Sequence, residues 1–366
     1  MTWTQELRQS VTDISQLQRK LGLSAAELAQ LQKLCAQFPM SVPQYYLDLI
    51  NWNDPSDPIR KMCIPTFFEA DSSGTFDTSG EVDNTVCVGV QHKYRESALI
   101  LTTNRCAMYC RHCFRKRQVG LSDEEIAHHF FDVVSYIYEH KEVSNVILGG
   151  GDALMLPTKT LIRYLTAFTE MGHLDLIRIT TRIPVVLPAR ISEDRDLHDA
   201  LRLYGRKKQI YIITQFNHPN EVTEDAGKAL RILLECSVAV KNQTVLLKGV
   251  NDDPVVLGTL LRKLTAHGVV PYYVFQCRPV VGVKSSFQVP ISQGYDIVEG
   301  AKAMQNGQGK CLKYCMSHPR GKIEIAGKLE DGAMLFKFHQ AKHDHDAGRI
   351  FTRKLPKEET WLPDNL

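Results

Sequence analysis

Three cysteines lie close enough together in the sequence to bind one cofactor. Cys106, Cys110 and Cys113 form a C-x3-C-x2-C pattern directly after the apolar run 98–103. Thiolates are the usual protein ligands of iron–sulfur clusters, and a four-iron cluster normally takes four of them. Three cysteines would therefore leave one iron free to bind a reactant. A structural zinc knuckle, or simply three buried thiols, is the alternative interpretation.

Basic residues surround this cysteine segment. We expect their positive charge to lower the pKa of the thiols and to favour an electron-rich cluster. The other seven of the ten cysteines are scattered along the chain, which is typical of reduced, mostly buried thiols. The basic residues in question are Arg105, Arg111, Arg115, Lys116 and Arg117.

The cysteine segment follows the first of six short apolar runs rich in β-branched residues. The runs alternate with helical patterns, which predicts a parallel sheet covered by helices. Six units are too few for a complete eight-fold barrel, so the pattern fits either an open doubly wound sheet or a partial barrel. The runs are 98–103, 145–150, 176–181, 210–214, 238–247 and 271–277.

Segments of different character flank these runs. Leucines recur at helical spacing before residue 60, and Ser24 with Glu27 forms a candidate capping box. Residues 70–84 are polar and rich in Gly and Ser, which predicts a mobile surface loop. After about residue 322 the pattern is that of antiparallel strands, with a hairpin turn at 330–332. We therefore expect a helical extension and loop over 1–95, a barrel over 96–290, and a C-terminal segment with a β-hairpin over 291–366.

The composition indicates a soluble globular protein. The 366 residues include 44 Lys and Arg and 41 Asp and Glu, a net charge of +3. This balance gives no electrostatic signal for nucleic acid or anionic lipid. Apolar runs fall far below the ~18 residues of a membrane span, and the first residues do not resemble a secretory signal. We expect a cytoplasmic protein with neither a nucleic-acid nor a membrane partner.

The cysteine pattern, with Tyr109 before the second cysteine, resembles that of the radical S-adenosylmethionine (SAM) superfamily. The resemblance extends over about residues 43–330 to the lysine 2,3-aminomutase family. It implies a partial (β/α)6 barrel rather than an open sheet, and a [4Fe–4S] cluster that binds SAM at its open iron. In this superfamily an electron from the cluster cleaves SAM to a 5′-deoxyadenosyl radical. The matching stretches include CAMYCRHCFRKR, NVILGGGDALML, RITTRIPVVLPARI, FNHPNEVT and NQTVLLKGVNDD.

The same resemblance assigns residues to SAM. A glycine run ends the second apolar run, where a backbone without side chains can approach a ligand closely. The carboxylate that follows it corresponds to the group that holds the SAM amino group. Two polar residues after the fourth run and in the fifth are also expected to contact SAM, although satisfied structural polar groups are the alternative. These residues are Gly149, Gly150, Gly151 and Asp152, followed by His218 and Gln243.

The resemblance also implies pyridoxal 5′-phosphate (PLP) as a second cofactor. Lys322, in a short P-R-G-K turn, corresponds to the lysine that holds the PLP aldehyde, and Gly321 is expected to make this turn flexible. Lys93 corresponds to a basic residue that binds the PLP phosphate. A second basic position corresponds to Ser97, so one phosphate contact is expected to be missing unless Arg95 replaces it.

Two arginines are expected to bind an amino acid substrate. Arg115 matches the arginine that binds the α-carboxylate, for which a planar fork is well suited. Lysine-specific members bind the distal ammonium with two aspartates, but here one position is Arg278 and the other is Ser317 or Cys315. An arginine facing an ammonium would be a costly like-charge contact. The sequence therefore predicts an isomerase, an amino acid 2,3-aminomutase that is not lysine-selective, with an acidic amino acid as the first candidate.

Three other interpretations stay open at this stage. They are an L-lysine 2,3-aminomutase proper, a radical SAM enzyme of another class that acts on a protein-linked substrate, and a non-catalytic iron–sulfur protein. By resemblance, we also expect an electron donor of the flavodoxin or ferredoxin type and a homo-oligomer.

Overall fold

A computed structural model describes residues 2–366. Its strands form one sheet in which each strand lies beside the next strand of the chain. In chain order they are β1 Thr85–Cys87, β2 Val90–Tyr94, β3 Ser97–Thr103, β4 Asn145–Gly150, β5 Leu176–Thr181, β6 Gln209–Thr214, β7 Ala239–Leu246, β8 Val270–Gln276, β9 Lys313–His318, β10 Gly321–Lys328, β11 Met334–Ala341 and β12 Ile350–Arg353.

The six predicted runs are confirmed as β3 to β8. Each pairs in parallel with the next, and each connection carries at least one helix. Parallel neighbours require such crossovers, which is why helices cover the outer face of this part of the sheet. Side chains from strands β2 to β10 line one cavity, so the sheet curves around it as a partial barrel.

The sheet also extends beyond the six parallel strands on both sides. Strands β1 and β2 precede β3 in antiparallel order, and β9 adds to β8 in parallel. The predicted hairpin is confirmed as β10 and β11, with β12 beside them. The sheet therefore runs without interruption through the boundaries expected near residues 95 and 290.

Helices surround the sheet and precede it. The predicted capping box begins α3, where the Ser24 amide donates to Glu27 Oε2 over 2.8 Å. Within residues 2–366, none of the helices combines the length and the hydropathy needed to cross a membrane. The helices are α1 Trp3–Arg8, α2 Gln18–Leu21, α3 Ala25–Gln37, α4 Gln44–Leu47, α5 Pro58–Cys63, α6 Glu81–Asn84, α7 Phe130–Glu139, α8 Thr158–Thr169, α9 Ile183–Val186, α10 Ala189–Glu193, α11 Arg195–Lys207, α12 Glu224–Glu235, α13 Pro254–Ala266, α14 Lys284–Phe287 and α15 Ile291–Ala303.

Strand β7 illustrates how alternation builds both the core and the cavity. Val240 and Leu246 point outward and are buried under the helices, whereas Gln243 and Val245 point inward and line the cavity. This two-residue period is the geometric consequence of an extended strand. The outer face therefore supplies the hydrophobic core, and the inner face can carry polar groups.

The prediction of a mobile surface loop over residues 70–84 is wrong in its second half. Asp77 accepts hydrogen bonds from the backbone amides of Ser79, Glu81 and Val82. These bonds fold the chain into α6 and turn its side chains inward. Four residues of this half are consequently buried, namely Thr78, Ser79, Glu81 and Asn84.

Candidate active site

A cavity of about 390 Å³ lies inside the curved sheet, toward the carboxyl ends of the parallel strands. This is the end at which barrels of this kind place their ligand-binding groups. The cavity brings together most of the residues singled out from the sequence. They are Lys93, Cys106, Cys110, Cys113, Arg115, Gly150, Gly151, Asp152, Gln243, Arg278 and Lys322.

The cysteine segment connects β3 to α7 and rests on the N-terminal extension. The Tyr109 amide donates to Ser41 O over 3.0 Å, and the Arg111 amide donates to Met62 O over 2.9 Å. All three cysteines are free thiols that border the cavity. The side chains of residues 2–366 include no group of three or more His, Cys, Asp or Glu that could hold a metal ion as it stands.

Arg115 and Lys116 do act to lower the pKa of the Cys113 thiol, as expected, but burial outweighs them. Burial raises the pKa of Cys113 to about 11 and also raises the pKa of Cys106. Arg111 and Lys116 both form ion pairs with Glu69, which is only 1% exposed. The charge of these two residues therefore holds the cysteine segment on the N-terminal extension.

Arg182 is the basic residue that does reach a cysteine, and the sequence reasoning missed it. Its Nη1 donates to Cys110 Sγ over 2.7 Å, while its Nη2 donates to Glu221 Oε1 over 2.5 Å. Arg182 directly follows β5 and lines the cavity. Its position in the RITTRIP stretch, just after a predicted strand, is the sequence signal that could have identified it.

The glycine run at the end of β4 allows close contacts within the protein's own backbone. A Cβ on Gly150 would lie 2.5 Å from Thr103 O, and one on Gly151 would lie 2.4 Å from Arg105 O. These glycines therefore let β4 approach the start of the cysteine segment. Gly149 does not line the cavity, and its carbonyl accepts a hydrogen bond from Thr102 Oγ1.

Asp152 faces the cavity but already has several hydrogen-bond donors. Its Oδ1 accepts from Thr181 Oγ1 over 2.6 Å and from the Leu154 amide, and its Oδ2 accepts from the Arg182 amide over 2.6 Å. Burial raises the pKa of Asp152, and these bonds oppose that rise. A carboxylate has about four acceptor positions, so room is left for one further donor.

His218 lies outside the cavity lining. Its ring Nδ1 accepts a hydrogen bond from the Asn220 amide and caps the short helical turn Pro219–Glu221. Burial lowers the pKa of His218, which favours the neutral ring that this bond requires.

Arg115 and Arg278 lie in the same wall of the cavity. Arg115 Nη1 donates to Gly150 O over 3.3 Å, its Nη2 lies 3.2 Å from Glu81 Oε1, and its Nε is buried without a partner among the described residues. Arg278 donates to Ser79 Oγ, and its guanidinium lies 4.0 Å from the centre of the Phe114 ring. Burial lowers the pKa of Arg278 to about 10, although Glu81 opposes that shift. Glu81 is thus an acidic residue in the cavity that the sequence reasoning did not identify.

Lys322 is the second residue of β10, and the prediction of a flexible turn at this point is wrong. It pairs with Ser317 on β9 and with Gln340 on β11, and its Nζ donates to Gln340 Oε1 over 3.0 Å. Gly321 is needed because a Cβ there would lie 2.3 Å from Gln340 O. Burial, assisted by the charges of Arg178 and Arg278, lowers the pKa of Lys322 to about 8. A lysine with a lowered pKa is suited to forming a bond with a carbonyl group.

Lys93 enters the cavity from β2. Its Nζ donates to Ser79 O and His318 O, and burial together with neighbouring cations lowers the pKa of Lys93 to about 7. Ser97 also lines the cavity, whereas Arg95 is exposed in the turn between β2 and β3 and does not reach it. The suggested replacement of a phosphate contact by Arg95 is therefore wrong.

Comparison with known proteins agrees with this geometry. Residues 100–257 match the radical SAM superfamily. The chain is 36% identical to an L-lysine 2,3-aminomutase of Clostridium subterminale, over 83% of this chain and 73% of that protein. It is also 36% identical to an L-lysine 2,3-aminomutase of Fusobacterium nucleatum, over 83% and 71% of the two chains. A glutamate 2,3-aminomutase of Clostridioides difficile is 33% identical over 86% of this chain and 74% of its own length.

Proposed function

The chain belongs to the family of radical SAM amino acid 2,3-aminomutases, and from this premise we propose that it moves the α-amino group of an amino acid to the β-carbon with PLP as a second cofactor. Enzymes of this family are isomerases, and the radical SAM family implies a [4Fe–4S] cluster and SAM. PLP, the identity of the substrate and the electron donor go beyond what membership of the family establishes.

One observation carries the proposal. Lys322 on β10 and Arg115 beside the cysteines belong to distant parts of the sequence, yet both line the same cavity. Such an arrangement lets one amino acid be held at its carboxylate while its amino group lies near a reactive lysine.

The residues present fit the groups that the family implies. Cys106, Cys110 and Cys113 border the cavity, and Arg182 donates a hydrogen bond to the sulfur of Cys110, so the three sulfurs would be the cluster ligands. Asp152 keeps an acceptor position for the amino group of SAM, and Gln243 lines the same cavity. Lys322 and Lys93 would hold PLP at its aldehyde and at its phosphate.

When bound, the cluster with SAM would supply a 5′-deoxyadenosyl radical, and PLP would supply the carbonyl to which the migrating nitrogen is attached. The protein's own residues position the substrate and exclude water from the cavity. Arg115 fixes the substrate carboxylate, and the segment around α6 covers the cavity wall with buried side chains. Exclusion of water matters because reactive intermediates are otherwise lost to side reactions.

Arg278 supports an acidic amino acid as the first candidate substrate. It lies near Arg115 in the cavity wall, and the charge of Arg115 acts on it. The two carboxylates of the lining, Glu81 and Asp152, already have partners. A second carboxylate on the substrate would therefore meet positive charge.

L-Lysine is the second candidate, and Glu81 is the observation that favours it. Glu81 stabilises the charged form of Arg278, so this arginine is not the uncompensated cation that the sequence suggested. Several relatives, including two of those described above, are named L-lysine 2,3-aminomutases. A flavodoxin- or ferredoxin-type electron donor and a homo-oligomer complete the proposal.

The proposal is tested by product analysis under anaerobic conditions. The reconstituted protein, with SAM, PLP and a chemical reductant, is incubated with a mixture of the common amino acids, and β-amino acids are sought by mass spectrometry. We expect one β-amino acid to form, and none with Cys113→Ala or Lys322→Ala. SAM cleavage that needs Cys113 but not Lys322, with no β-amino acid, would instead favour a radical SAM enzyme of another class.

A further inference from the structure

The cavity carries three cations that no carboxylate of its lining neutralises. Lys93, Arg178 and Lys322 all line it, and none of the three forms an ion pair with an acidic residue among residues 2–366. Their hydrogen bonds go to carbonyl, amide and hydroxyl oxygens instead. Buried cations without anions are costly, so these side chains are suited to binding an anionic group of a ligand.

Arg178 is the least satisfied of these cations. It lies on β5 with its side chain directed into the barrel, where Nη2 donates to Asn145 Oδ1 and lies 3.5 Å from Ser97 Oγ. Its Nε is buried and has no partner among the described residues. A guanidinium that keeps unused donors at a cavity can bind a phosphate through two parallel bonds.

Ser97 leaves space in front of this guanidinium. Ser97 on β3 pairs with Asn145 on β4, which in turn pairs with the start of β5. The three side chains of Ser97, Asn145 and Arg178 therefore lie side by side across neighbouring strands. Because serine is short, Arg178 lines the cavity next to it.

We propose that Arg178 binds the phosphate group of the pyridoxal cofactor together with Lys93, and that it supplies the contact expected from a basic residue at position 97. The assignment rests on the proposed function, since it presupposes that Lys322 holds the aldehyde of the same cofactor. Lys322 lies within range of electrostatic interaction with Arg178, as one cofactor that contacts both residues would require.

Equilibrium binding measurements test this assignment without any turnover. The visible absorption band of the lysine-bound cofactor is titrated with PLP and, separately, with pyridoxal, which has the aldehyde but no phosphate. For Arg178→Gln we expect the dissociation constant for PLP to rise about tenfold or more, while that for pyridoxal stays within about twofold. Inorganic phosphate should compete with PLP in the parent protein and less effectively in the variant.

Lys241→Gln is the matched control. Lys241 lies on β7 near Arg178 and stacks on Tyr211 and Tyr272, but it does not line the cavity. This variant should leave both dissociation constants unchanged. In the background of Arg178→Gln, the further change Ser97→Arg should restore most of the affinity for PLP, because it returns a guanidinium to the same place.

Two results would overturn the assignment of Arg178 alone. One is an unchanged dissociation constant for PLP in Arg178→Gln, and the other is an equal loss for PLP and pyridoxal. If Arg178→Gln does not fold, as judged by circular dichroism, Arg178→Lys is titrated in its place, since it keeps the charge but loses the planar fork. The same two results would then overturn the assignment. A parent protein that forms no band with either aldehyde would overturn the PLP proposal and this assignment together.

Discussion

Arg115 and Glu81 form an ion pair in the cavity wall, with 3.2 Å between Nη2 and Oε1. Glu81 also pairs with Arg117 over 2.9 Å and is itself buried. The pair joins the cysteine segment to α6 and fixes the plane of the Arg115 guanidinium. Because Arg115 Nε has no partner among the described residues, the fixed fork still has a donor for a carboxylate.

The first prediction concerns the substrate carboxylate. Arg115→Lys should raise KM for the amino acid about tenfold to a hundredfold, because an ammonium cannot keep the bonds to Gly150 and Glu81 and also place a donor where the Arg115 Nε lies. Steady-state kinetics measure this change, and the extent of cluster loading should be unaffected.

Arg117→Lys is the control for this prediction. Arg117 shares Glu81 with Arg115 but does not line the cavity, so KM should change by less than about threefold. Equal effects of the two substitutions would show that Arg115 acts through the structure of the segment and not on the substrate.

The second prediction concerns the cluster. Alanine at Cys106, Cys110 or Cys113 should each abolish cluster binding, since a three-thiolate site has no spare ligand. Iron and sulfide content and the electron paramagnetic resonance spectrum of the reduced protein measure it. Cys277→Ala should retain the cluster, although Cys277 borders the same cavity. Full iron content in any of the first three variants contradicts the assignment.

The third prediction concerns the stability of the cavity wall. Arg182→Gln should lower the free energy of unfolding by about 3 kcal/mol, because it leaves the fully buried Glu221 without its cation. Chemical denaturation measures the loss. The double variant with Glu221→Gln should be more stable than Arg182→Gln alone. A loss below about 1 kcal/mol for the single variant would mean that the pair is not the main support of Glu221.

The fourth prediction follows from the lowered pKa of Lys322. Only the neutral amine attacks an aldehyde, so the rate of appearance of the lysine-bound cofactor should rise as pH increases through about 8. Stopped-flow absorbance measures this rate. A rise centred near pH 10.5, the ordinary value for lysine, would contradict the buried setting.

The same shift has a consequence for stability. Between about pH 8 and pH 10.5 the unfolded chain carries a proton on this lysine that the folded chain has lost, so the free energy of unfolding should rise across this window. Lys322→Met should remove that increment. Equal slopes for the parent protein and the variant would mean that Lys322 is protonated in the folded chain throughout.

The fifth prediction separates the two candidate substrates. If an acidic side chain is bound, Arg278→Gln should lower kcat/KM for glutamate about tenfold or more relative to lysine. Glu81→Gln should lower the relative activity toward lysine if that amino acid is used. Turnover of lysine but not of glutamate by the parent protein would contradict the acidic candidate directly.

The local sequence was sufficient to predict much of the fold. The six parallel strands, the Ser24 capping box and the hairpin after Lys322 all depend on neighbouring residues, so they could be recognised from spacing and turn chemistry. The cavity position of the cysteines followed from their place after a strand. These features need no knowledge of distant contacts.

The features that could not be predicted depend on partners far apart in the sequence. Lys116 and Arg111 lie beside the cysteines in the chain but bind Glu69, more than forty residues away. The composition of residues 70–84 resembles that of a mobile loop, whereas Glu81 forms ion pairs with Arg115 and Arg117 of the cysteine segment. Lys322 follows a turn-forming Pro and Gly, yet its two neighbouring strands hold it rigidly in the sheet.

The most direct test of the aminomutase proposal is the fate of the migrating nitrogen. The reconstituted protein is incubated with SAM, PLP, a reductant and an amino acid labelled with ¹⁵N at the α-position, and the product is examined by NMR. We predict a β-amino acid that carries the ¹⁵N on its β-carbon, formed only when Lys322 is present. Formation of 5′-deoxyadenosine with no β-amino acid from any of the common amino acids would contradict the account.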